Sequence, residues 1–218
     1  MKHPAKFSDS IINALNEVVS DEAEYKCARL RVLDPMAGTG RIHELDRRFV
    51  YETRGVELEP EWASMHRCTV QGDATALGSP DNEFDVVCTS PAYGNRMADH
   101  HNARDDSRRM TYKHQLGRDL SPNSGAGLQW GQSYRDLHKR ILAEMVRVTK
   151  PSGLVVVNVS NHIRGGVEQP VSEWWLARML INGLMFEKAI PVSTPRMGFG
   201  AYASLRVECE WVLVTRKP

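Results

Sequence analysis

The 218-residue sequence predicts a doubly wound α/β domain, a mostly parallel sheet with helices on both faces that closes on an antiparallel strand. Three observations carry that prediction. Short apolar runs alternate with amphipathic stretches, glycine-rich or acidic turns follow the apolar runs, and the last two strand-like segments have no long helix between them. With 41% apolar and 25% charged residues the composition is that of a globular chain, and at this length no disulfide or metal is needed to hold a core.

Each element has its own signal. Ile11, Ile12, Leu15, Val18 and Val19 recur at helical spacing over residues 8–20, with Ser8 and Asp9 as caps. Arg31 to Leu33 reads as a strand, followed by a glycine-rich turn and a helix expected from about Arg41. Residues 51–57 form a second strand, and Pro60 stands at the first position of a helix that Glu61 to Arg67 would continue. Phe84 to Cys88 is apolar enough for the middle of a parallel sheet. From Ser133 to Lys150 a helix carries Leu137, Ile141, Leu142, Met145 and Val146 on one face. Pro151 to Gly153 stop it, and Leu154 to Val157 make a buried strand. Residues 171–182 are helical, with at least one of Trp174 and Trp175 in the core, and 184–192 and 207–215 are the closing strands.

Residues 94–130 do not fit the alternation. Connections beyond about 12–15 residues are usually functional or disordered. This one carries six Lys or Arg against four Asp and is read as an inserted basic lid on a single domain spanning 1–218. Elsewhere charge is balanced: 28 basic and 27 acidic residues give +1, so any basic surface must be local. No apolar run approaches the ~20 residues of a membrane span. The start, MKHPAKFSDS, has no apolar stretch after its charges, so a cytoplasmic location is expected. The four cysteines lack a CxxC pair and are read as reduced thiols, Cys88 as a strand's core residue. No metal site is expected.

Chemistry concentrates at the ends of the strands. Asp34-Pro35-Met36-Ala37-Gly38-Thr39-Gly40 follows a strand and would let backbone approach a nucleotide-like cofactor. The third glycine of the dinucleotide fingerprint is missing, which argues against a nicotinamide dehydrogenase. Glu57, 17 positions after Gly40, could accept from two ribose hydroxyls, and Asp73, beside Ala74, from an adenine amine. Ser90-Pro91-Ala92-Tyr93 ends the next strand, offering a hydroxyl, a proline that fixes chain direction and an aromatic face for a flat ring. Asn161-His162-Ile163-Arg164 follows the fifth strand at the same edge, and Arg196 to Gly200 with Arg206 could form a second substrate loop.

These motifs resemble those of the S-adenosylmethionine-dependent DNA amino-methyltransferases, which act on adenine N6 or cytosine N4. The family's D-P-F-x-G-x-G is matched with Met36 in place of Phe, and its [DNS]-P-P-[YFW] by Ser90, Pro91 and Tyr93, with Ala92 as the departure. His3-Pro4-Ala5-Lys6-Phe7-Ser8 is similar to the family's H-P-x-x-F-P segment, Ser8 replacing its last proline. The resemblance implies a seven-stranded Rossmann-like methyltransferase fold and direct in-line transfer to an exocyclic amine. It implies Ser90, Pro91 and Tyr93 as catalytic residues. Phe7, Asp34, Pro35, Ala37, Gly38, Thr39, Gly40, Glu57, Asp73 and Ala74 would bind S-adenosyl-L-methionine. A flipped base needs its flanking phosphates held, and Arg104, Arg108, Arg109 and Lys113 of the lid are the expected contacts. DNA is the expected partner, with RNA or a free nucleobase as the alternative. No separate recognition domain is expected to fit beside the catalytic core, so either the lid or a specificity partner would read the target or sequence selectivity is low, and a homodimer is a further possible assembly. A catalytically silent methyltransferase-fold subunit is the remaining reading, kept open by Ala92 and Met36.

Overall fold

A computed structural model describes residues 8–45, 50–94, 111–193, 207 and 209–218, without the side chains of 50 and 51. Phe7, Arg104, Arg108, Arg109, Arg196, the 197–200 stretch and Arg206 lie outside the described residues.

Helix α1 (Asp9–Lys26) opens on Ser8, whose Oγ accepts from the Ile11 amide at 3.3 Å, and closes on Cys27 in the left-handed region. The strands follow as β1 (Leu30–Asp34), β2 (Val50–Glu57), β3 (Thr69–Gln71), β4 (Phe84–Thr89), β5 (Thr149–Val159), β6 (His162–Arg164), β7 (Val167–Gln169), β8 (Met185–Ser193) and β9 (Cys209–Arg216). Between them stand α2 (Pro60–Ala63), α3 (Tyr112–Leu116), α4 (Gln132–Val148) and α5 (Val171–Ile181). Seven strands form one sheet in the order β3-β2-β1-β4-β5-β9-β8. Pairing is parallel from β3 through β5, and β9 runs antiparallel to both β5 and β8. The expected doubly wound sheet and antiparallel last strand are therefore present.

Alternation along the central strands splits the core in two. Phe84, Val87, Val155 and Val157 face α4 and α5, whereas Val86, Cys88, Leu154 and Val156 face α1. Trp175 is fully buried, as is Cys88, whose thiol is pushed up first by burial and then by the Asp34 charge. Among the described residues no helix is long and apolar enough to cross a membrane.

Two local expectations are corrected. The helix expected from Arg41 is a four-residue 3-10 turn, Arg41–Glu44. Its His43 ring pairs with Thr53 Oγ1 at 2.8 Å and Thr69 Oγ1 at 2.9 Å, and those tethers draw the segment onto β2 and β3. Helix α2 stops at Ala63 instead of reaching Arg67, because the chain must turn at once into β3. The Thr69 amide donates to the His66 carbonyl at 2.9 Å. The described part of the 94–130 insertion carries α3 and a 3-10 turn at Gly125–Gly127. Residues 161–164, expected only to follow the fifth strand at the ligand edge, open a two-stranded hairpin, β6–β7.

Candidate active site

The sheet order reverses between β1 and β4, and the crevice beyond those strand ends is where ligands bind in open α/β sheets. Here it is a cleft enclosing about 640 Å³, its open mouth included. Pro35 and Met36 enter it after β1, Glu57 at the last residue of β2, Asp73 and Ala74 after β3, and Ser90 after β4. Residues predicted at four successive strand ends thus share one wall.

The glycine loop is clamped from β2. The Ala37 amide donates to the Val56 carbonyl at 2.9 Å, and the Gly38 amide donates to Glu57 Oε2 at 2.8 Å. Gly40 lies at φ 81°, and a Cβ there would sit 2.8 Å from His66 Cβ, so both conformation and space demand glycine. Glu57 Oε1 accepts from the Glu59 amide at 2.9 Å. Burial pushes the Glu57 carboxyl above the usual range, with the Glu59 and Gly38 amides opposing. Each oxygen still has a lone pair for a hydroxyl donor.

Asp34 is buried, and its Oδ1 accepts from the Met36 amide at 3.0 Å. Burial pushes its carboxyl up to about 7; the Thr89 hydroxyl and the Met36 amide oppose the rise and the Glu57 charge adds to it. Thr89 is close enough to ease the charge, yet neither Asp34 Oδ2 nor Thr89 Oγ1 completes a hydrogen bond among the described residues. Asp73 behaves oppositely. Burial raises it, but the Thr75 amide and hydroxyl and Asn123 outweigh burial and hold it below the ordinary range. Asn123 Nδ2 donates to Asp73 Oδ2 at 2.9 Å.

That contact shows what the described half of the insertion does: it roofs the cleft. Tyr112, Asn123, Gly125 and Ala126 line it. Arg118 pairs with Glu59 at 2.7 Å and Glu61 at 2.5 Å, and Ser121 donates to Glu59 from both its amide and its hydroxyl. Lys113, expected at a phosphate, is in an exposed ion pair with Asp119.

At the far end Ser90 and Tyr93 belong to a network that the sequence reading missed. Asn158 on β5 and Glu210 on β9 close it. Tyr93 Oη donates to Glu210 Oε2 at 2.6 Å and lies 3.0 Å from Ser90 Oγ. Asn158 Nδ2 lies within hydrogen-bond distance of Ser90 Oγ at 3.1 Å, Tyr93 Oη at 2.8 Å and Glu210 Oε2 at 3.0 Å, and its two hydrogens are shared among these three acceptors. Proton counting fixes direction here. A phenol has one proton, and Glu210 takes it, so the Ser90 hydroxyl must donate to Tyr93. Ser90 Oγ is left with acceptor capacity. Both missed residues had a signal: each is a polar residue at the ligand-edge end of an otherwise apolar strand run.

No protein-family model and no curated protein sequence matches the chain. Solved structures do. The crystal structure of the [4+2]-cyclase SpnF aligns over 100% of this chain and 85% of its own, with TM-score 0.58 and 14% identity. The N-methyltransferase NodS from Bradyrhizobium japonicum WM9 aligns over 97% and 99%, with TM-score 0.56 and 10% identity. The 1,6-didemethyltoxoflavin-N1-methyltransferase of Burkholderia thailandensis, solved with its substrate and S-adenosylhomocysteine, aligns over 94% and 77%, with TM-score 0.54 and 14% identity. At these identities the likeness is one of fold, and a cyclase among the three shows that the fold alone does not choose the chemistry. The chain has the Rossmann-like fold that those methyltransferases share.

Proposed function

We propose that this chain is an S-adenosylmethionine-dependent methyltransferase that modifies an exocyclic amino nitrogen of a base in DNA, cytosine N4 or adenine N6. One observation carries the reading. The cleft places acceptor carboxylates at the β2 and β3 ends and, in the same wall, an acceptor hydroxyl after β4. The donor set suits the cofactor. Glu57 can take ribose hydroxyls and Asp73 an adenine amine, while Leu58, Ala74 and Ile141 supply apolar walls for the ring. The bound cofactor would supply a methyl group on an electrophilic sulfonium.

The remaining work falls to the chain's own residues. Ser90 Oγ and the Pro91 carbonyl accept from the target amine, which turns its lone pair toward the methyl group. Tyr93, anchored at its hydroxyl by Glu210 and Asn158, holds the plane of the ring. The new N–C bond would replace the sulfonium S–C bond and the amine would release one proton to solvent, so positioning and fixed dipoles account for such a reaction without a covalent nucleophile. Cys88, fully buried in β4, takes no part.

A second reading is a small planar amine as acceptor. It is favoured by the Burkholderia N1-methyltransferase, whose named substrate is a single small molecule. Labelled S-adenosylmethionine offered with duplex DNA, single-stranded DNA, tRNA and free nucleosides, followed by nucleoside mass spectrometry, separates them. N4-methylcytosine or N6-methyladenine in DNA is expected. Label in RNA or nucleosides alone would replace the DNA reading, and cofactor binding without transfer to any acceptor would leave a silent subunit.

A further inference from the structure

A chain of net charge +1 that handles a polynucleotide must grip phosphates through a local cluster of cations. In the described half of the insertion the two cations nearest the cleft are paired, Arg118 with Glu59 and Glu61 and Lys113 with Asp119. Across the catalytic loop the situation differs. Arg135, in the first turn of α4, and Arg164, at the end of β6, have no carboxylate partner among the described residues.

Both converge on Trp130. The Arg135 guanidinium carbon lies 4.8 Å from the indole centroid, and Arg164 Nη1 donates to the Trp130 carbonyl at 3.3 Å. The Trp130 amide in turn donates to the Gly94 carbonyl at 2.9 Å, so the Trp130 backbone is tied to the residue that follows Tyr93. Stacking fixes a guanidinium by its face and leaves edge N–H groups for a bidentate anion. Arg135 Nε is shielded from water and has no acceptor. Arg164 is exposed beside the turn of the β6–β7 hairpin. That hairpin is braced at its base, where Asn161 Oδ1 accepts from the Ser172 amide at 2.9 Å and its Nδ2 donates to Glu168 and Glu173. The nearby acids are therefore engaged: Glu168 and Glu173 by Asn161, and Asp136 by Lys139 and Gln132.

We propose that Arg135 and Arg164, both held at Trp130, are a phosphate clamp for the nucleic-acid backbone next to the base presented to Ser90 and Tyr93. The clamp rests on the nucleic-acid reading above. It places the backbone grip on α4 and β6, beside the catalytic loop, and gives the described half of the insertion the separate task of covering the cleft.

The test is a salt titration of duplex DNA binding by fluorescence anisotropy. Wild type is compared with Arg135→Glu, Arg164→Glu, the double variant and the milder Arg135→Gln and Arg164→Gln pair. Lys188→Glu, on the far edge strand, is the charge control, and S-adenosylhomocysteine affinity checks that each variant is folded. Each single reversal is expected to weaken binding about tenfold at moderate salt, and to lower the slope of log K against log salt by about 1. The double should lose about 2. Slopes unchanged in the double variant, with methyl transfer to DNA intact, would overturn the clamp and keep the DNA reading. Wild type that neither binds nor methylates any nucleic acid would overturn both. The same loss of slope on RNA would support the clamp and move the substrate to RNA.

Discussion

Replacing Gly55 with alanine tests the tightest packing behind the cleft. An added Cβ at this β2 position would meet Thr69 Oγ1 at 2.6 Å and Ala37 Cβ at 2.7 Å. Carbon–carbon contacts are ordinarily about 3.5–4.0 Å, so Ala37 must retreat by roughly 0.8 Å or more. Neither neighbour is free to move. Ala37 is held by its amide to Val56, and Thr69 Oγ1 holds His43 Nε2 at 2.9 Å. Overpacking of this kind costs about 1–3 kcal/mol, offset by about 0.4–1 kcal/mol from the stiffer unfolded chain. A net loss of about 1–2 kcal/mol corresponds to a melting temperature lower by roughly 2–8 °C at this size. Displacing Ala37 also moves the glycine loop, so S-adenosylhomocysteine should bind more weakly in the same variant. Gly78→Ala is the control, because a Cβ there meets nothing within 4 Å. Thermal melts and calorimetric titration read both effects. A Gly55→Ala protein that melts at or above both wild type and the control would refute the packing account.

Three further outcomes are expected. Glu57→Gln should weaken S-adenosylhomocysteine binding by roughly 10–100-fold, the equivalent of about 1.5–3 kcal/mol for hydrogen bonds to a charged group, and should also lower the melting temperature, because one of the Gly38 and Glu59 amides would then face a donor; titration calorimetry giving an unchanged Kd would remove Glu57 from the ribose site. Glu210→Gln should cut kcat by about 10–100-fold with KM nearly constant, because a Gln amide donating to Tyr93 reverses the network and turns the Ser90 proton toward the target amine. Glu210→Asp should recover much of the rate, and equal losses in both would make Glu210 a packing residue only. Burial holds His138 down at about 4 from an ordinary 6.5, so its folded form resists protonation while the unfolded chain takes the proton. That contribution is complete above pH 6.5 and is lost as pH falls toward 4, at a cost of about 3 kcal/mol. Denaturant melts across this window should fall more steeply for wild type than for His138→Gln, and parallel curves would show that His138 is already charged in the native state.

Much of the fold was legible because a two-sided sheet writes its period into the chain. Phe84 to Thr89 and Leu154 to Val159 are buried on both faces and read as continuous apolar runs. Helix α4 read clearly for the complementary reason, with Leu137, Ile141, Leu142 and Met145 on one buried face. Short elements were lost where distant tethers outweigh local preference. His43 is pulled onto β2 and β3 by two threonines, which leaves a 3-10 turn where a helix was expected. The β6–β7 hairpin depends on Asn161 being braced by Ser172, Glu168 and Glu173, contacts up to 12 positions away in the chain.

The strand-end motifs alone were enough to bring Asp34, Glu57, Asp73 and Ser90 to one edge, because a parallel sheet places every strand's C-terminal end on the same side. The partners of those residues were decided only in three dimensions. Asn123 on Asp73, Arg118 on Glu59, and Asn158 and Glu210 on Tyr93 join positions 50 to 117 residues apart. A hydrogen bond leaves no period in a sequence, since it depends on distance and angle between groups that the chain does not otherwise relate. The sequence alone thus specified which chemistry gathers at the edge, and the tertiary structure decided which way the Ser90 proton points and which guanidiniums have no carboxylate partner among the described residues.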